Sequence, residues 1–154
     1  MLAVSGAHAR PPTGPQPEGG CPAWSGESAD VAAQWGAPAR TPGCWFFSGP
    51  GELGRDDHLG ARARWSRQGD AITLVFGSAR FEGRLEGRRV QLTRASTHQA
   101  GGPWRVTETI TGELREANGC TTFVGRYHYD ECEQGAACPG HCHIDADLRL
   151  SRRQ

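Results

Sequence analysis

The sequence predicts an all-β chain folded as an eight-stranded up-and-down antiparallel barrel behind an irregular N-terminal arm, and three observations carry that prediction. First, residues 104–115 alternate strictly. Trp104, Val106, Ile110 and Leu114 fall on one face, and Arg105, Thr107, Thr109, Thr111, Glu113 and Arg115 on the other. A period of two in a Thr-rich, β-branched stretch means a strand with one wet face. Glu116-Ala117-Asn118-Gly119 then signals a tight turn, and the chain returns with Phe123, Tyr127 and Tyr129 on its inner parity. Second, eight such segments follow one another through hairpin-length links, and rolling the sheet shut removes both exposed edges. Third, the links differ by end: 68–70, 86–88 and 116–119 are short, whereas 49–58, 96–103 and 131–141 are long. An up-and-down barrel gathers the first set at one end and the second at the other. A two-sheet β-sandwich built from the same strands is the alternative.

Taken in order, residues 1–42 read as the arm and residues 43–154 as the barrel domain. Residues 1–9 end in an Ala-x-Ala-like site and read as the remnant of a signal peptide. The Pro-, Gly-, Ala- and Ser-rich stretch that follows has little periodicity. Ser28–Trp35 reads as one or two helical turns capped by Ser28, and Trp24 and Trp35 are expected to hold part of the arm against the barrel. Residues 44–48 read as the first strand, with Trp45 and Phe47 inward. Leu59, Ala61, Ala63 and Trp65 face in on the second, and Ile72, Leu74 and Phe76 on the third. Phe81, Gly83 and Leu85 carry the fourth, Val90 and Leu92 the fifth. The hairpin described above supplies the sixth and seventh, and Ile144, Ala146, Leu148 and Leu150 the eighth.

At 154 residues the chain is long enough to bury a core of its own in one domain. A 36% apolar content and a mean hydropathy of -0.59 suit a curved sheet with a polar exterior, and 22 Gly with 10 Pro argue against long helices. The 17 basic residues balance the 17 acidic ones. No broad field therefore steers the chain toward nucleic acid or a membrane surface, and no stretch is apolar enough to span a bilayer. The basic set is all Arg, which points to GC-rich, bacterial coding. Arg80, Glu82, Arg84 and Glu86 alternate in sign, which predicts cross-strand pairing on a solvated face.

Gly43-Cys44-Trp45, at the head of the expected first strand, matches the Gly-x-Trp pattern of the calycins, and over residues 28–153 the chain resembles that lipocalin and avidin-like group. The resemblance implies an eight-stranded barrel, a short helix before its first strand, and an Arg just past the last strand packed across the Trp, a place that Arg152 fills. The Thr-Asp-Tyr motif that lipocalins carry between strands six and seven is replaced here by Glu116-Ala117-Asn118-Gly119.

Three groups of residues carry candidate chemistry. Six cysteines, Cys21, Cys44, Cys120, Cys132, Cys138 and Cys142, form an even set that reads as disulfides in an oxidising compartment, secreted or periplasmic. A Cys132–Cys142 bond would flank the last hairpin link. The same segment offers the alternative of zinc held by Cys132, Cys138, Cys142 and His141, although the spacing lacks paired C-x2-C knuckles. Around the open end, Asp56, Asp57, His58, His98, Glu131, Glu133 and His141 are expected on the loops as a polar rim. Inside, Glu108 breaks the apolar run of its strand, and Arg94, at inward parity on the neighbouring strand, is its expected partner.

No Gly-x-Ser-x-Gly elbow, His-Glu-x-x-His helix or phosphate loop occurs, so the chain reads as a non-enzyme. The expected function is an extracytoplasmic barrel without a cofactor that binds a small or extended ligand at its open end. Trp65, Phe76, Trp104, Tyr127 and Tyr129 would line the cavity, Arg94 and Glu108 supply polarity, and His58 and His98 stand at the rim. The alternative is a structural module with a filled core whose stapled loops meet a partner protein.

Overall fold

The computed structural model describes Trp24 and residues 28–41, 59–98, 104–133 and 142–153, and no helix occurs among them. The strands are β1 (Ser28–Trp35), β2 (Ala39–Arg40), β3 (Arg62–Gln68), β4 (Ala71–Phe76), β5 (Ala79–Glu86), β6 (Arg89–His98), β7 (Trp104–Ala117), β8 (Cys120–Glu133) and β9 (Cys142–Arg152). From β3 to β9 each pairs antiparallel with the next, and β1 lies between β3 and β9. The sheet thus closes into an eight-stranded up-and-down barrel, with β2 a two-residue continuation along β9.

The closing strand corrects one expectation. Ser28–Trp35 is a strand, not a helical turn. Its Ala-rich composition favours helix in isolation, but Ala29, Val31 and Ala33 are buried while Ser28, Asp30 and Gln34 are exposed. The unpaired edges of β3 and β9 supply backbone partners on both sides, and that pairing overrides local propensity. Residues 44–48, with the Gly43-Cys44-Trp45 pattern, lie outside the described residues, and the barrel closes through β1.

The two ends differ as the link lengths predict. Two-residue turns join β3 to β4, β5 to β6 and β7 to β8 at one end. The Asn118-Gly119 turn has positive φ at both residues, 53° and 75°, the left-handed geometry that suits a tight hairpin. The links from β1 to β3, β6 to β7 and β8 to β9 leave from the opposite end, together with the short Gly77-Ser78 turn.

Alternation places a continuous core inside the barrel, with Phe76, Phe81, Phe123 and Tyr127 fully buried. Ala61, expected inward, is exposed just ahead of β3. Trp24 packs on Trp65 at 4.9 Å between ring centroids, and its backbone N–H donates to Thr121 Oγ1 at 3.5 Å, so it covers the tight-turn end. On the outer face Arg80 pairs with Glu82 along β5 at 2.7 Å, rather than across strands as expected. The cross-strand neighbours of Glu82 are Thr73 and Thr93, which offer no cation.

Candidate functional site

The strand registers bring a polar row into the interior. Arg94 on β6 stands opposite Glu108 on β7, and Glu108 stands opposite Tyr129 on β8. Parity turns all three inward. β6 continues to His98, well beyond Leu92, and that extension carries Arg94 into the barrel. Arg94 Nη1 donates to Glu108 Oε2 at 2.5 Å, and the Tyr127 hydroxyl donates to Glu108 Oε1 at 2.9 Å. Glu108 is fully buried, whereas the Arg94 side chain keeps 19% of its surface exposed. Next toward the loop end, the Tyr129 hydroxyl donates to Glu131 Oε2 at 2.9 Å. A carboxylate inside a barrel is tolerable only with such partners.

Aromatic rings wall this cluster. Trp35 meets Tyr127 edge-on at 5.5 Å and Phe76 at 5.6 Å, and its Nε1–H donates to the Gly60 carbonyl at 3.1 Å. Phe76 in turn meets Phe81 edge-on at 6.2 Å. Arg94, Glu108, Phe76, Tyr127 and Tyr129 are therefore brought together. Trp104 is half-buried at the start of β7. Trp65 stands apart, packed on Trp24 toward the tight-turn end. His98 has its backbone opposite Trp104, while its side chain, together with Asp56, Asp57, His58, Glu133 and His141, lies outside the described residues.

Glu131 is a correction. It was expected on the exposed rim, but β8 runs through to Glu133 and the parity of Phe123, Tyr127 and Tyr129 turns Glu131 inward, where it is 1% exposed. Carrying the register of the Asn118-Gly119 turn along both strands would have located it. Trp35 was missed for the reason that β1 was missed.

The cysteines allow a second correction. Cys142 faces inward opposite Glu131, so Cys132, one residue further along β8, faces outward. The two stand on opposite faces of the sheet, a placement that does not suit a direct bond between them. Neither is a free thiol: Cys120, Cys132 and Cys142 are each in disulfide linkage, which removes Cys132 and Cys142 as thiolate ligands for zinc. No group of three or more ligating side chains converges among the described residues.

Burial, and then the charge of Glu108, pushes the Tyr127 phenol well above its ordinary pKa. Burial and the hydrogen bond to Glu131 push Tyr129 up likewise. The folded state holds these protons more tightly than the unfolded chain. Stability is therefore full below the unfolded phenol pKa of about 10, and falls as pH rises past it, by up to ~1.4 kcal/mol per pH unit for each tyrosine. The chain has two tyrosines in all, both in this cluster. A spectrophotometric titration should accordingly show no tyrosinate in the native protein above pH ~10, and then both phenols ionising together as the barrel unfolds. Gradual ionisation of a folded protein near the ordinary value would contradict the buried geometry.

Two concavities, of about 760 and 480 Å³, lie on the outer face of the sheet, the larger over β5–β8 and the smaller over β1, β8 and β9. No helix among the described residues is long and apolar enough to cross a membrane. In comparisons with protein-family models, curated proteins and solved structures, no match to this chain is found.

Proposed function

We propose that this is a non-enzymatic, extracytoplasmic, calycin-like barrel that takes a small ligand at its loop end, against the Arg94–Glu108–Tyr127 cluster. One observation carries the reading: an ion pair whose carboxylate is fully buried, with a tyrosine bonded to it, inside a largely apolar tube and beneath the end with the long links. Well-packed apolar side chains in place of a buried pair are often neutral or stabilising, so structure alone gives little reason for it. Arg94, the partly exposed member, would meet an anionic or hydrogen-bonding head-group. Trp35, Phe76 and Tyr127 would receive an apolar body. The oxidised state of Cys120, Cys132 and Cys142 supports an oxidising compartment.

A second reading has its own support. Phe76, Phe81, Phe123 and Tyr127 are fully buried and occupy much of the interior, as a filled structural module would have it. The two are separated by extracting the natively purified protein with organic solvent and identifying retained small molecules by mass spectrometry. Rebinding to stripped protein is then followed by tryptophan fluorescence. The proposal expects a stoichiometric ligand whose affinity drops at least tenfold in Arg94→Met. A protein that carries and rebinds nothing would leave the filled module standing.

A further inference from the structure

We infer that Cys21 and Cys120 are joined by a disulfide that ties the N-terminal arm to the tight-turn end of the barrel and keeps Trp24 seated on Trp65. Cys120 is in disulfide linkage and stands first in β8, directly after the Asn118-Gly119 turn. Its partner is one of the other five cysteines. Of these, Cys21, Cys44 and Cys138 lie outside the described residues, and the length of chain joining each to a described residue limits where it can stand.

Cys132 is twelve residues further along the same strand, roughly 35–40 Å away at about 3.3 Å per residue. Cys142 stands opposite Glu131 and so belongs to that far end too. Cys138 is four residues from Cys142 and can stray at most about 14 Å from it. Cys44 is three residues past Thr41 and within about 11 Å of it. Thr41 is itself fixed at the loop end, where its N–H donates to the His143 carbonyl at 3.0 Å. The α-carbons of a disulfide stand within about 7 Å of each other, so none of these four reaches Cys120. Cys21 does. It is three residues before Trp24, whose N–H donates to the Oγ1 of Thr121, the neighbour of Cys120. The arm also enters the sheet at this end, with Ser28 opposite Ser66 beside the β3–β4 turn. How the other four cysteines pair does not alter this assignment.

The seat of Trp24 calls for such a tie. Its hydrogen bond to Thr121 is long, at 3.5 Å, and its indole Nε1 is buried without an acceptor among the described residues. A buried N–H left unbonded is costly, and the ring contact with Trp65 has to offset it. With Cys21 bonded and Ser28 in β1, Trp24 is held from both sides, and less entropy is lost on seating it. Forming the bond breaks two S–H bonds and makes one S–S bond. A disulfide oxidant takes up the two electrons and two protons through a mixed disulfide and leaves as a dithiol.

The test is tryptic mapping of the oxidised full chain, blocked with N-ethylmaleimide and left unreduced. Cleavage at arginine puts Cys21 on the peptide ending at Arg40, Cys44 on 41–55, Cys120 on 116–126, and Cys132, Cys138 and Cys142 on 127–149. The expected result is peptide 116–126 bound one-to-one to the peptide ending at Arg40 and released by reductant. Peptide 116–126 bound to 41–55 or to 127–149, or carrying maleimide, overturns the inference. A Cys21→Ser/Cys120→Ser protein then measures what the tie does. Hydrogen exchange at the Trp24 amide should quicken about tenfold or more while β7 and β8 stay protected. Exchange at the natural rate would mean that Trp24 keeps its seat without the bond, and would overturn the role assigned to it.

Discussion

Replacing Arg94 with Met should cost the barrel about 3–5 kcal/mol of unfolding free energy, the penalty for leaving a buried charge without its partner. Glu108 is fully buried and is bonded to the Arg94 guanidinium and the Tyr127 hydroxyl. Without Arg94, the carboxylate must either stay charged in a medium of low polarity or take up a proton. The remedy is to remove the polarity altogether. Arg94→Met/Glu108→Leu/Tyr127→Phe replaces all three groups with apolar ones of similar volume and should recover most of the loss, to within about 1–2 kcal/mol of the natural protein. Urea unfolding followed by tryptophan fluorescence measures both variants. Their contrast also decides what the cluster is for. A triple variant that folds well and no longer takes up ligand separates binding from stability. If Arg94→Met unfolds at the natural midpoint, the pair is not the buried interaction described here.

Most of the sheet was legible because alternation is a local signal that burial enforces. Trp104 to Leu114, Phe123 to Tyr129 and Ile144 to Leu150 each show their inward set in the bare sequence, and a one-residue slip would expose all of it. The Arg94–Glu108 pair followed from the same parity once the two strands were neighbours. What failed was of another kind. In Ser28–Trp35 the inward residues are small, Ala29 and Ala33 beside Val31, so the hydrophobic contrast is faint and helix propensity fills the gap. Only the need for β3 and β9 to pair reveals the strand, and that need is not local. Glu131 was misplaced because acidic residues near cysteines resemble a loop.

Gly83→Ala should abolish the folded state, at a cost above ~4 kcal/mol, whereas the same change at Gly87 should cost only ~1 kcal/mol. Both are glycines of the β5–β6 hairpin, and the difference lies in what a methyl group would meet. Gly87 sits in the turn at φ 62° with nothing near its missing Cβ, so the cost there is that of a left-handed backbone. A Cβ on Gly83 would collide with the Gln91 carbonyl oxygen and lie 2.9 Å from Leu92 Cα. Backbone cannot rotate aside as a side chain can. Gly112 and Gly125, partners across β7 and β8, are in the same position: a Cβ on either strikes a carbonyl of the facing strand and comes within 2.7 or 2.5 Å of Phe123 Cζ. These inward-facing glycines let neighbouring strands approach closely where the sheet coils, the device by which a sheet turns tightly enough to close. The outer face becomes concave at the same place, and Arg84, Gln91, Thr111 and Arg126 line the hollow. Truncating Phe123 to Leu should therefore relieve Gly125→Ala only in part, since the ring tip can be removed and the Thr111 carbonyl cannot. Soluble yield and urea midpoints for the four variants are the measurement. A folded Gly83→Ala protein within about 1 kcal/mol of the natural one would mean that β5 and β6 can separate there without opening the barrel.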